Sequence, residues 1–521
     1  MRKWLVFLVV FTLVLAAAGC QKSPQPGAQG QASEGKTLSI VLDGSKDREP
    51  ELQAIAGYLG QIGVKAEVRT WEYHTLVEEA KKGTRDAYAT DWGSATFSPY
   101  DLAVPKLKTK DRGNFSFYGN PEVDRLFDAA SSTTDLGQGK KDYYQVQDVL
   151  KQDAPWIFGY YRDAIEAASA KVENWEPSTD SRENMHRVRL SGGDTLVVGM
   201  RADRIYTLDP ADHRDRDTET VIRNIFDGLV TRTTKGEVVP EIAESWTQPD
   251  PTSYIFKLRP GITFQNGEKL DAEDVVFTFE RILSATGIAG KQSPRVGLLG
   301  PLQKVEKLDP DTVKFTLKNP FPVFLQLLVH TQIVPKDYVK KVGDKEFAQH
   351  PVGAGPFKFA SGQLNSEIVL ERYDGYYGGS PAIPPVGPAP LRRVIFRMMP
   401  EASTRIAALK AGEVQIIQEV PPDALAELEK DANIQVKVAQ GTRLYEIELN
   451  NQRLTDPRVR QALNLAINWD DILTQLYKGH AHRVSTALLP SGFGYNPDLK
   501  PFPYDPEKAK VLLKEAGYAT R

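Results

Sequence analysis

Chemistry in this 521-residue sequence has to come from seven histidines, one cysteine and a few acidic runs. His480-Ala-His482 sets two imidazoles two residues apart. On a strand both would face one side and, given a third ligand, could bind a metal ion; the same stretch also reads as a polar loop between a helix and a strand. His74, His186, His213, His330 and His350 have no partner at a suggestive spacing. There is no Gly-x-Ser-x-Gly elbow. Gly353-Ala-Gly355-Pro starts like a phosphate loop, but it lacks the Lys-Ser/Thr ending, and Pro356 removes an amide that a phosphate would use. The acids from Asp212 to Asp217 are interrupted by Arg214 and Arg216 and read as a solvated loop. No catalytic triad, metal set or cofactor motif emerges, so the expectation is a protein that is not an enzyme and carries no cofactor.

Cys20 is the only cysteine, which rules out an intramolecular disulfide within this sequence. It follows a basic start (Arg2, Lys3) and an apolar run, Trp4 to Ala18, too short for a comfortable membrane span. Ala17-Ala-Gly-Cys20 is similar to a bacterial lipobox, with Ala17 in place of the usual Leu. Residues 1–19 are therefore expected to be a lipoprotein signal peptide and Cys20 the lipidated residue. Residues 20–35, rich in Gln, Gly, Pro and Ser, read as a disordered tether. The formal net charge is −3, and −5 without Arg2 and Lys3 (63 basic against 68 acidic residues). No segment gathers Lys and Arg among aromatics, so no nucleic-acid partner is expected.

These residues need elements to position them. Leu38 to Leu42 reads as a strand, Pro50 to Leu59 as an amphipathic helix, and Val64 to Thr70 as an alternating strand, a βαβ pattern with Gly63 ending the helix. Farther on, Tyr254 to Arg259 alternates like a strand, Pro260-Gly261 breaks it, and Asn266-Gly267 supplies a turn. Asp271-Ala-Glu-Asp274 then opens a helix whose Val275, Val276, Phe279 and Ile282 recur at helical spacing.

The order of motifs in this region says more. Glu244-Ser-Trp246, Phe256-Lys-Leu-Arg259, Phe264-Gln-Asn-Gly267 and Ala272-Glu-Asp274-Val-Val resemble the signature of the family 5 extracellular solute-binding proteins, the peptide- and nickel-type receptors of ABC importers. In that family the signature lies near the mature N-terminus, whereas here about 240 residues precede it. The helix from Pro50, Asp91-Trp-Gly93, Asn114 to Asp124 and Tyr143 to Pro155 resemble, in order, the family's second half. Asp194 to Val198, Thr207-Leu-Asp-Pro210, Asn224 to Leu229, the signature, Gly353 to Lys358, Arg453 to Gln461 and Tyr504 to Gly517 resemble its first half. The halves tile the family once in reversed order, which reads as a circular permutation with its seam at Met185 to Gly193.

The resemblance implies an α/β, two-lobed periplasmic-binding-protein-like fold (class II, large type), circularly permuted, with a hinge between the lobes. One lobe is expected over 166–442, and the other from 36–165 together with 443–521. It also implies that a peptide ligand pairs with the strand carrying Asp91, Trp92 and Gly93, and that Tyr160, Tyr206, Arg443 and Tyr445 line the cleft or simply pack there. Peptide receptors of the family carry an Asp three residues after the Trp to meet the ligand's ammonium. Ala95 stands there, which points away from ordinary free-amine dipeptides unless Asp91 or Asp101 substitutes. The implied function is that of a lipid-anchored, extracytoplasmic, monomeric receptor passing a small-molecule or oligopeptide ligand to an ABC permease and its ATPase subunits. A nickel- or metal-chelate receptor, or a ligand-sensing lipoprotein without transport, are the alternatives.

Overall fold

A computed structural model describes residues 35–94, 98–177, 184–233 and 236–520. The expected signal peptide, Cys20, the expected tether up to residue 34 and Ala95 lie outside them. Among the described residues no helix is long and apolar enough to cross a membrane.

Eleven strands make one mixed sheet that runs through both lobes. Its order is Phe357–Gln363, Glu367–Arg372, Arg393–Met398, Thr195–Met200, Ile416–Ile417, Trp156–Ser169, Ile434–Leu449, Ala87–Gly93, Ser39–Ser45 and Lys65–Trp71, with Ala481–Arg483 also paired to Trp156–Ser169. The βαβ start is as the pattern predicts. Helix Glu49–Gln61 buries Leu52, Ile55 and Leu59, Gly63 turns the chain at φ +87°, and the flanking strands pair in parallel from Ser39 opposite Lys65.

Two strands are unusually long. Trp156–Ser169 and Ile434–Leu449 run antiparallel, and each belongs to both lobes. One end of the pair meets Ile416–Ile417, with Thr195–Met200 beyond; the other meets Ala87–Gly93 and Ala481–Arg483. Their register slips between the pairs Gln440–Asp163 and Leu444–Tyr161. Gly441 sits in that bulge, where a Cβ would come 2.1 Å from the Arg162 carbonyl oxygen, so only glycine fits.

The signature stretch forms a separate four-stranded antiparallel sheet (Ala243–Asp250, Ser253–Leu258, Thr312–Leu317, Leu302–Asp309). Helix Ala272–Leu283 covers it, its start fixed by a capping box between Asp271 and Asp274. Phe279 meets Phe315 edge-on at 4.8 Å between ring centroids in this core.

The lobe holding Ala87–Gly93 has a core of its own built from distant segments: Leu38, Ile40, Leu42 and Ile55 pack with Leu463, Trp469, Ala509 and Leu513. Lys36 pairs in parallel with Tyr518, and the Ala519 amide donates to the Lys36 carbonyl at 3.2 Å. Deeper in this lobe Lys106 is buried between Glu446 and Glu448, with Trp92 and Trp156 facing its ammonium. Burial pushes the Glu446 carboxyl up to about 8, although Lys106 pulls the other way. In the other lobe Arg189–Leu190 pairs with Val172–Glu173, and Gly192, at φ +82°, turns the chain towards Thr195–Met200.

Candidate functional site: the cleft between the lobes

The candidate site is the end of strand Ala87–Gly93 at the bulge. Register places Gly93 opposite Arg443, Trp92 opposite Leu444 and Asp91 opposite Tyr445. Alternation then turns Asp91 and Gly93 to one face with Arg443 and Tyr445, and Trp92 to the other. Asp91 and Arg443 form an ion pair. Burial works against the Asp91 carboxylate, but Arg443, followed by Arg48 and Arg162, outweighs it and holds the group below its ordinary range. Arg162 lies 4.1 Å from the Tyr445 ring centroid and donates to its hydroxyl. Arg48 ties the two strands together by donating to the Thr90 and Glu446 carbonyls (2.7 and 3.3 Å), its charge met by buried Glu51.

The second lobe supplies the opposite wall. Arg201, just past strand Thr195–Met200, bridges Asp217 and Glu419, each at 3.2 Å. Glu419 holds a left-handed backbone (φ +46°), which is strained for a residue with a side chain. Arg405 clamps that turn by donating to the Met399, Pro400, Gln418 and Glu419 carbonyls. The Glu419 side chain is 52% exposed, yet arginines from both lobes surround it. Burial raises its pKa, but Arg201, Arg162, Arg443 and Arg405 together bring it below the ordinary value. The Glu419 carboxylate thus stands where charged groups of both lobes meet. Arg216, at the start of helix Arg216–Ile225, donates to Thr442 Oγ1 (3.2 Å) and lies against Gly93.

Such a polar cleft between two lobes of one sheet is a place to hold a solute. A sequence profile described as bacterial extracellular solute-binding proteins, family 5 Middle, matches residues 237–521. The chain belongs to family 5 of the bacterial extracellular solute-binding proteins. The glutathione-binding protein GsiB of Shigella boydii is 33% identical over 327 residues, 62% of this chain and 61% of that protein. The chain thus spans about 61% of the length of the curated relatives it matches. Among solved structures, the periplasmic binding protein DppA of Helicobacter pylori, in complex with the peptide STSA, aligns with TM-score 0.55 and 33% identity over 63% of this chain and 67% of that one. NikZ of Campylobacter jejuni, in complex with Ni(L-His), gives 0.52 and 26% over 62% and 63%. These relatives are binding proteins rather than enzymes.

Set in this family 5 frame, the residues singled out from the sequence separate into those that meet and those that do not. Asp91, Gly93, Arg443 and Tyr445 come together. Tyr160 lies behind them: it is fully buried, stacks on Tyr445 at 5.1 Å, and its hydroxyl donates to Glu51 (2.6 Å) beside Tyr477 (2.7 Å). Its ring face and hydroxyl are committed to protein, so it positions Tyr445 instead of facing the cleft. Trp92 donates to the Asp101 carbonyl at 2.6 Å, which brings Asp101 to the strand end, but the Asp101 carboxylate is buried and accepts from Ser94 (2.8 Å). Tyr206 is half exposed, with Arg204 4.9 Å from its ring.

His480 and His482 both meet Asp163 at the bulge, at 3.2 and 3.0 Å. Ala481–Arg483 is a strand, not a loop, and among the described residues no three side chains converge on a metal position. The stretch from Asp212 to Asp217 is not a solvated loop either. Asp215 caps helix Arg216–Ile225, His213 and Arg216 are buried, and Asp217 pairs with Arg201. Charge alternation looks solvated in a sequence; here it lines a cleft. Arg201, Arg216, Glu419 and Arg48 were not legible because their segments meet only in the folded chain. Arg162 had one signal, its place two residues from Tyr160 on a strand.

Proposed function

We propose that this protein is the solute receptor of an ABC importer, anchored through a lipid on Cys20, closing its lobes on a peptide or peptide-like solute and delivering it to the permease. The observation that carries the reading is the enclosed cluster at the strand end, Asp91, Arg443, Arg162, Arg201 and Glu419, to which both lobes contribute. The guanidiniums of Arg443 and Arg201 stay partly exposed there, which suits a solute bearing carboxylates, as peptides do. The GsiB and DppA relatives agree with a peptide-like solute, and Ala95 remains an argument against ordinary free-amine dipeptides. Affinity comes from burying the solute as the lobes close, with no covalent step.

The lobe boundaries we propose, Ile165/Glu166 and Thr442/Arg443, lie beside and within the register slip at Gly441. We also propose that the family's two halves stand in reversed order. The contact of Lys36 with Tyr518 supports this, since it makes one β/α unit of segments almost 500 residues apart. So does the extent of the matches: an alignment that follows chain order can cover one block only, and 327 residues is about the length from the Gly192-Gly193 turn onward.

Mass spectrometry of solute released by denaturing the purified protein is the direct test. A peptide-like molecule is expected; a nickel chelate, checked by metal analysis of the same sample, would replace the peptide reading. Cys20→Ser should free the protein from membranes, and retention by that variant would refute the anchor. A chain running from residue 193 to 520 and then from 36 to 191 should fold with a similar Tm, and failure to fold would refute the reversed order.

A further inference from the structure

Two arginines from opposite lobes confront each other at one edge of the cleft. Arg112, in the lobe of strand Ala87–Gly93, has its guanidinium 5.7 Å from the Trp92 ring centroid. Arg214, in the other lobe just before helix Arg216–Ile225, donates to the Pro294 carbonyl at 3.2 Å. Both converge on the backbone of Gly297. A Cβ placed there would stand 3.6 Å from Arg112 Cζ and 3.8 Å from Arg214 Nη1.

Neighbouring cations deepen the conflict. Arg295, two residues before Gly297, is buried and already engaged by His213 Nε2 (2.8 Å), the His330 carbonyl and Glu219 (3.7 Å). Among the described residues no carboxylate comes within ion-pair distance of Arg112 or Arg214. The Arg214 side chain is exposed, yet its partial enclosure, then Arg112 and Arg295, hold its pKa below the ordinary value, and Asp101 and Glu219 do not restore it. Like charges brought together on closure oppose it, unless something negative sits between them.

We propose that Arg112 and Arg214 form an anion subsite that bridges the lobes beside Gly297 and takes an acidic group of the captured solute. This rests on the reading of the cleft as the solute site. Trp92 links the two places: Asp91 and Gly93 flank it on one face of the strand end, and Arg112 stacks on it at the other. A solute lying across the strand tip reaches both. The substrate class this defines is a peptide-like molecule with a carboxylate beyond those met by Arg443 and Arg201. With an anion in place, two guanidiniums on separate bodies share one partner, and closure becomes favourable where it was opposed.

Calorimetry on the solute-free protein with Ala-Ala-Glu and Ala-Ala-Gln tests this. Arg112→Gln and Arg214→Gln should each weaken Ala-Ala-Glu by about tenfold and leave Ala-Ala-Gln within about twofold. Equal losses for both peptides, or none, overturn the subsite. Arg443→Gln separates this from the broader reading: if it leaves both peptides unchanged, the cleft itself is not the site, whereas its loss of both beside an unchanged Glu preference in the double variant R112Q/R214Q removes the subsite alone. Should neither peptide bind, the solute-free protein decides. The double variant should melt higher than wild type at low salt, and sulfate should narrow that gap more than chloride of equal ionic strength. No gap, or one indifferent to sulfate, overturns the proposal and would leave a free inorganic anion no role there either.

Discussion

Replacing Gly93 by alanine isolates lobe closure from folding. Gly93 sits at the end of an extended strand outside the left-handed region, so alanine suits its backbone and costs the unfolded chain some freedom, a gain of about 0.4–1 kcal/mol if anything. What it cannot suit is Arg216. The new Cβ would lie 2.0 Å from Arg216 Nη2, 2.7 Å from Cζ and 3.1 Å from Nε, so the whole guanidinium must leave. Its donation to Thr442 goes with it, and bonds to charged groups contribute about 1.5–3 kcal/mol. The displaced group recovers some hydration at the cleft rim, so a net loss of about 1–2 kcal/mol is expected, a factor of roughly 5–30 in solute affinity. Calorimetric titration with the solute recovered from the native protein measures it. The ligand-free Tm should hold. In an Arg216→Ala background the same glycine substitution should cost less than about twofold, because nothing remains to collide. Full additivity of the two changes, or a large fall in ligand-free Tm, would refute the reasoning.

Two further substitutions address the lobes separately. Lys106→Met should destabilise the protein by about 3–5 kcal/mol in denaturant unfolding, because it leaves Glu446 and Glu448 buried without their cation. Asp227 is buried, accepts from the Tyr376 and Tyr377 hydroxyls (2.8 and 2.7 Å), and is pushed up to about 7 by burial. Its folded pKa exceeds its unfolded one, so its contribution to stability is fully present below about pH 4 and is lost as pH rises towards 7. Asp227→Asn should flatten that decline in Tm; an unchanged slope would show that other groups set it.

Much of the architecture could be read before any coordinates. Helical spacing after Asp271, the β-formers of Tyr254 to Arg259 and the βαβ start at Leu38 are local properties, and local properties survive in a sequence. The cleft is different. Asp91 and Arg443 were legible through the family's motif order, yet their pairing depends on the register of strands some 350 residues apart. Glu419 gave no hint, since a left-handed glutamate is stabilised by Arg405 and not by its neighbours in the chain. For Tyr160 the sequence left cleft and packing both open, because period-2 alternation tells which face a side chain takes, and not whether another ring already covers it.

The two long strands have a mechanical consequence. Lobes joined by loose loops could swivel in any direction, but here they share a hydrogen-bonded ribbon broken at two closely spaced register slips, between Gln440 and Leu444 and between Tyr445 and Glu446. Relative motion is therefore confined mainly to a bend about this short stretch, a hinge with one soft region. Deuterium should enter fastest at amides near Arg162 and Gly441 and slowest a few residues away along the same strands. The ribbon also explains which cuts in the chain the molecule can tolerate. An opening in a surface connection far from these strands leaves both leashes whole, whereas a break inside either one would leave the halves hanging by a single thread.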